Sequence, residues 1–491
     1  MLKQILGYLP VNLANIVISF GTVIILTRLF SGAEFGRYAL AIAAMHFVHM
    51  VLFTWIEAAM YRYYARAKKR GELASHIKTC YVAGAITGLV GLPLLMGFVW
   101  ILPLDNLMKT LLAFGLATTC LTLIYNIGIE AHKAAHRIGR YSAIQSSQSL
   151  FGFSLGIFLI LVTPLREIAP FYGILAGNLL ALLVDLPFMF KRMRGGQVEM
   201  ARIRKYFAYG MPICLSLMLS YILSQGDLFM IRYFMDDTSV GQYNAGYNLA
   251  NRALDILFVW IGMAVTPIAM TTLEQDGLEK TKEVLKNYGE LLLLIALPAA
   301  TGIALVAEPA GFILGESVRS EAVKIMPWIA FSGVLNGLIV YYAQRAFELS
   351  GKTSLMAWTM VPPVLINIGL NIWLIPIKGL QGAVWATLIA YAAGLIISFL
   401  VARRTFPLPI PLKALWKSAL ACLVMAGAVL ALPESLERLP DFVELVIKAG
   451  VGASVYGIVA FAINAARSRS LVMDIVGKLQ NRRASEPEAL S

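Results

Sequence analysis

The chain has 491 residues, 59% of them hydrophobic and 14% charged, with a mean hydropathy of +0.73 and a formal net charge of +13. Soluble globular chains hold about 45–50% apolar and about 25% charged residues, so this composition excludes an ordinary soluble domain. The basic excess does not point to nucleic acid, because most Lys and Arg fall in short gaps between apolar runs, as they do in membrane proteins.

In chain order, the apolar runs predict fourteen membrane-spanning helices at 6–29, 38–61, 79–103, 108–130, 141–163, 169–190, 206–233, 241–270, 288–308, 322–346, 354–376, 380–402, 414–432 and 444–464. Met1 opens on an apolar stretch too long for a cleavable signal peptide. If the amino terminus lies inside, the inner segments carry 30 of the 41 Lys and Arg and the outer loops carry seven: Arg37, Lys109, Arg166, Arg319, Lys324, Lys378 and Arg438. Arg28, Arg232, Arg252 and Lys448 fall within spans or at their edges. The asymmetry predicts that both termini are cytoplasmic. A basic tail follows over 466–491.

The two halves of the chain resemble each other. Phe35-Gly36-Arg37-Tyr38 has a counterpart in Val240-Gly241-Gln242-Tyr243. Gly139-Arg140-Tyr141-Ser142 recurs as Gly351-Lys352-Thr353-Ser354, and Pro164-Leu165-Arg166 as Pro376-Ile377-Lys378, both at an offset of 212 residues. The expected architecture is therefore all-α. A six-helix lobe over 1–195 is followed by a second over 196–405, then by two extra spans over 406–465. Six spans per copy is an even number, so the copies share orientation and are expected to be related by an axis along the membrane normal.

Ionisable groups inside a span cost about 2.5–3.5 kcal/mol each on insertion scales, and so tend to face a cavity. His46, His49 and Glu57 share one sector of span 2. Ser216, Ser220, Ser224 and Asp227 form a stripe on span 7, and Asn244, Asn248, Asn251 and Asp255 form one on span 8, with Arg252 beside it. Arg345 and Glu348 share a face of span 10 with Tyr341, and Asn367 and Asn371 lie on span 11. Polar residues of this kind can also simply join neighbouring helices, and Arg28 and Arg232 can snorkel to the interface.

Several chemistries have no residues to carry them. The four cysteines, Cys80, Cys120, Cys214 and Cys422, have no paired spacing, so neither a disulfide framework nor a metal site is expected. Gly351-Lys352-Thr353 imitates the end of a phosphate loop, but Ala346 stands where that loop needs Gly. The outer loops are too short for a catalytic domain, so no catalytic residue is assigned.

Residues 27–38 (TRLFSGAEFGRY) resemble the signature after the first helix of Wzx-type polysaccharide and O-antigen flippases, members of the multidrug/oligosaccharidyl-lipid/polysaccharide superfamily. Residues 240–247 (VGQYNAGY) and 371–383 (NIWLIPIKGLQGA) resemble second-half segments of the same family. The resemblance implies a flippase, not an enzyme. Its cargo would be an undecaprenyl-pyrophosphate-linked oligosaccharide, moved from the cytoplasmic to the periplasmic leaflet of a bacterial inner membrane for O-antigen, capsule or exopolysaccharide synthesis. Polymerase and glycosyltransferase proteins of the same pathway would be its partners, together with membrane lipid.

On this reading Arg252, Arg28 and Arg345 are the candidate pyrophosphate contacts, since guanidinium groups bind phosphate oxygens by charge-assisted hydrogen bonds. Asn244, Asn248, Asn251 and Gln148 are the candidate sugar contacts. Glu57, His46, His49, Asp227 and Asp255 are the candidates for coupling to a cation, H+ or Na+, with no organic cofactor. Two rivals remain: a cation-coupled small-molecule antiporter of the same superfamily, and a membrane glycan polymerase or ligase.

Overall fold

The computed structural model describes residues 2–470 and residue 473; most of the basic tail expected over 466–491 lies outside them. Among the described residues there are helices and turns but no strand. The chain runs through α1 (Leu2–Leu29), α2 (Gly32–Leu52), α3 (Thr54–Lys69), α4 (Leu73–Ile101), α5 (Asn106–Ala134), α6 (Ile138–Val162), α7 (Ala169–Met193), α8 (Met200–Phe234) and α9 (Asp237–Gln275). It continues through α10 (Leu278–Leu305), α11 (Ala307–Ala310), α12 (Glu316–Leu338), α13 (Arg345–Leu349), α14 (Ser354–Trp358), α15 (Val361–Lys378), α16 (Leu380–Ala402), α17 (Leu412–Leu430) and α18 (Asp441–Ala462). Fourteen helical stretches are long and apolar enough to cross a membrane, as the hydropathy pattern predicts.

The reading of span 2 as one helix over 38–61 needs correction. The helix stops at Phe53 (φ −122°, ψ −26°), and α3 starts afresh at Thr54. Neither Gly nor Pro marks this break. Its start is better signposted: Ser31 caps α2 by accepting from the Glu34 amide, while the Glu34 carboxylate accepts from the Ser31 amide. This reciprocal box satisfies two backbone donors that a helix start would leave bare. Further along, a five-residue π segment (Ile339–Ala343) separates α12 from α13 within one long span.

The chain divides into two compact units. The first holds Met1–Ala245, Leu314–Val318 and Ile368–Ala383. Within it α7 lies along α6, α1 packs on α6, and α8 packs on α2 and α3. The α6–α7 contact is backbone against backbone. A Cβ at Gly173 would sit 2.2 Å from the Gly152 carbonyl oxygen, and one at Gly177 would sit 2.5 Å from that of Gln148. Small residues four apart on facing helices allow this approach, which replaces the hydrophobic drive that lipid cannot supply. An apolar core around Phe53, Trp55, Ile56, Tyr64 and Ile77 ties α3 to α4, α5 and α8.

The second unit holds Gly246–Ile313, Arg319–Asn367 and Val384–Ser491. In it α17 and α18, the two helices outside the internal repeat, pack on each other and on α10. Tyr456 donates to the Leu294 carbonyl at 2.7 Å, and Arg319 pairs with Asp441 at 2.7 Å.

Candidate functional site

The polar residues form separate constellations, most of them in the first unit. At the end of α2 that begins with Ser31, backbones meet without intervening side chains. A Cβ on Gly36 would fall 1.7 Å from the Asp237 carbonyl oxygen, and a Cβ on Gly241 would fall 2.3 Å from that of Gly32. Gly36 and Gly241 are the equivalent glycines of the two internal copies. Beside them Thr27 accepts from the Gly315 amide at 3.0 Å through Oγ1, which also donates to Val23 O at 2.7 Å.

Ion pairs ring this contact. Arg37 donates to the buried Glu167 carboxylate at 2.6 and 2.9 Å and lies 3.6 Å from Asp237. Arg232 reaches Asp237 at 2.5 Å, and Arg166 reaches Glu34 at 3.2 Å. The charges that the sequence places in outer loops are thus joined across long stretches of chain.

Asp227 is fully buried. Tyr243 donates to its Oδ2 at 2.5 Å and Asn371 to its Oδ1 at 2.7 Å. The Ser stripe flanks it on α8, where Ser224 donates to the Tyr221 carbonyl at 3.1 Å. This arrangement holds one carboxylate between a phenol and an amide, inside the first unit.

His49 and Glu57 meet at 2.8 Å through Nε2 and Oε1, and Asn126 approaches the same His49 nitrogen at 3.4 Å. His49 Nδ1 is buried with no hydrogen-bond partner among the described residues. His46, one turn before His49, is exposed. Gln148 donates to Asn178 at 3.0 Å, and Asn178 donates to Thr122 at 2.9 Å, forming a relay across α6, α7 and α5. Arg28 is exposed in the last turn of α1, and Asn244 is buried on α9.

In the second unit, Asn251 donates to Asp255 at 3.1 Å, while Arg252 between them is exposed and Asn248 is half-buried. Arg345 donates to Glu348 at 2.5 Å and to the Val340 carbonyl at 3.1 Å. Tyr341 stacks on Phe258 with ring centres 5.7 Å apart.

The sequence reading missed five partners. Asn126 and Asn178 lie in spans read as plain apolar helices. Tyr243 belongs to a motif recognised for its glycine rather than its phenol. Glu167 and Asp237 were legible only as loop acids, because nothing local links either of them to Arg37.

Fourteen membrane-length helices define a polytopic, all-helical membrane protein. A solved structure of the lipid II flippase MurJ in an inward closed conformation aligns with a TM-score of 0.76 at 16% identity, over 95% of this chain and 100% of that one. An inward-facing multidrug transporter of the MATE family aligns with a TM-score of 0.65 at 14% identity, over 78% and 94%. The chain belongs to the family of polysaccharide biosynthesis proteins, whose pattern matches residues 1–272.

Curated relatives include the probable flippase AglR of Haloferax volcanii, 24% identical over 48% of this chain and 50% of its own length. The probable low-salt glycan biosynthesis flippase Agl15 of the same organism is 22% identical over 61% and 63%. The probable lipid II flippase MurJ of Thermotoga maritima is 28% identical over 58% of each. The chain thus spans half to under two thirds of the length of these relatives. All three are named as probable flippases.

Proposed function

We propose that this chain flips a lipid-linked oligosaccharide, carried on undecaprenyl pyrophosphate, across a bacterial inner membrane by alternating access. The carrying observation is Arg252. It is exposed fifteen residues into α9, about 22 Å along that helix at 1.5 Å per residue. A guanidinium so far from the end of a membrane helix needs water or an anion beside it. The turns around it carry Asn248, Asn251 and Asp255, groups that hydrogen-bond hydroxyls. A cation beside amides suits a head group made of phosphate and sugar, while a prenyl tail can stay in lipid. The relatives named as flippases support the same reading.

The test is transfer of a fluorescent polyprenyl-pyrophosphate oligosaccharide between leaflets of proteoliposomes. Protein-dependent transfer with the glycan unchanged is expected. A lengthened glycan in place of transfer would replace the flippase by a polymerase. Efflux of small amphipathic cations without lipid transfer would replace it by an antiporter.

The side bearing the amino terminus and the basic loops is proposed as cytoplasmic. A reporter that is active only in the periplasm should be silent when fused after Lys205 and active after Leu380. The reverse pattern would overturn the orientation.

The His49–Glu57 pair is proposed as the ion-coupling site. An imidazole and a carboxylate in hydrogen-bond contact can hold and release a proton as access changes. An imposed proton gradient should accelerate transfer by the wild type, and Glu57→Gln should remove the acceleration while leaving basal transfer measurable. Equal acceleration of both proteins would move the coupling elsewhere, and indifference to both proton and sodium gradients would remove it.

A further inference from the structure

On the basic side of the first unit, where α5 gives way to α6 and α7 ends, three guanidinium groups surround one phenyl ring. The Arg140 guanidinium carbon lies 4.0 Å from the centre of the Phe188 ring, that of Arg192 4.9 Å and that of Arg137 5.1 Å. Each is therefore within about 10 Å of the other two, about the screening length of 0.1 M salt. One acid answers them directly. Asp185 Oδ1 accepts from Arg140 at 3.0 and 3.2 Å and from the buried His132 Nε2 at 2.7 Å. Arg192 donates to the Tyr64 hydroxyl at 2.6 Å, a neutral partner. The nearby Lys133 is matched by Glu130 at 2.7 Å. The cluster thus keeps about two positive charges in excess.

Stacking on a phenyl face leaves the edge of a guanidinium, where its N–H groups lie, open to an acceptor. Arg137 is exposed and Arg140 and Arg192 are half-buried, so those edges can be reached. His136, at φ 54°, makes the sharp turn that brings Arg137 back over the ring. The second copy of the repeat shows that the fold does not demand this cluster. At the 212-residue offset Arg140 and Arg192 correspond to Lys352 and Arg404, but Phe188 becomes Leu400, Arg137 becomes Leu349 and Asp185 becomes Ile397. The ring, the third cation and the buried acid belong to the first copy alone.

We propose that Arg137, Arg140 and Arg192, splayed around Phe188, form a binding site for a lipid-borne phosphate at the basic surface of the first unit. Two bilayer components carry that chemistry: an anionic phospholipid and a polyprenyl pyrophosphate. Arg252 is not one of its residues, and its test does not depend on transport.

The purified full-length chain in detergent is titrated with phosphatidylglycerol, with undecaprenyl pyrophosphate and with phosphate-free diacylglycerol. Binding is followed by native mass spectrometry and by the shift in unfolding temperature. Arg137→Gln/Arg192→Gln should weaken phosphate-lipid binding by about tenfold or more, the loss expected on removing charge-assisted hydrogen bonds. Arg403→Gln/Arg404→Gln removes the same amount of charge beside the position that matches Arg192 in the second copy and should leave binding within about twofold, as expected for exposed charges. Weakening seen with one phosphate lipid alone identifies the source. Equal weakening in both double variants would reduce the effect to general attraction by a basic surface. Binding of diacylglycerol as tight as that of phosphatidylglycerol, or no weakening in the Arg137/Arg192 variant, would also overturn the proposal. If that variant does not fold, Arg137→Gln alone carries the test, because Arg137 is exposed.

Discussion

Gly36→Ala is expected to reduce lipid-linked glycan transfer at least tenfold, although alanine is the better helix former by about 1 kcal/mol. Propensity and packing pull in opposite directions here, and packing wins. The added methyl would stand 1.7 Å from the Asp237 carbonyl oxygen and 2.9 Å from the Gly241 amide nitrogen, so the starts of α2 and α9 must separate. No side chain can rotate to relieve the clash, because both opposing atoms are backbone. The ion pair of Arg37 with Asp237 spans the same contact and would lengthen with it. Gly241→Ala should act in the same direction, since its methyl would meet the Gly32 carbonyl oxygen at 2.3 Å. A cysteine at the buried Ala245 reports the separation directly. It should react with a membrane-impermeant thiol reagent faster in the Gly36→Ala background than in the wild type. Unchanged transfer and unchanged labelling at normal protein level would show that this contact is not what seals that side of the unit.

The long apolar runs made the helices legible, and the even spacing of basic residues made their number legible. The span expected over 380–402 is found as Leu380–Ala402. The break at Phe53 was not legible, since Phe53-Thr54 carries no turn chemistry, and the consequence reaches the candidate site. In a continuous helix, residues eight apart are separated by about 12 Å of rise, so His49 and Glu57 would share a face without touching. With the helix interrupted between them they meet at 2.8 Å. A face is a local property of sequence; a contact across a break depends on what packs around it, here the apolar core holding Phe53 and Trp55. The same limit hid the Asp185–His132–Arg140 group. Asp185 lies near the end of a span, where an acid reads as an interfacial residue, and only the fold brings it to a histidine 53 positions away.

Arg252→Ala is expected to abolish transfer, while Arg252→Lys retains part of it and Arg345→Ala lowers it less. Loss of a hydrogen bond to a charged group costs about 1.5–3 kcal/mol, or roughly ten- to a hundredfold in binding. A guanidinium making two such contacts with a pyrophosphate therefore has a larger effect than any single polar residue nearby. Lysine keeps the charge but loses the planar fork, so partial activity is the signature of a role in which charge dominates. Arg345 is placed differently. Its nitrogens already reach Glu348 at 2.5 Å and the Val340 carbonyl at 3.1 Å, leaving it less to offer a substrate. Removing it strands Glu348, so its signature is a lowered unfolding temperature with modest loss of transfer. Asn251→Ala supplies the intermediate case: Asp255 loses its 3.1 Å partner, and a sugar loses one candidate amide. Transfer rates and unfolding temperatures measured on the same four purified variants separate these roles. Full transfer by Arg252→Ala protein, at wild-type abundance and stability, would remove Arg252 from the head-group path and with it the observation on which the flippase reading rests.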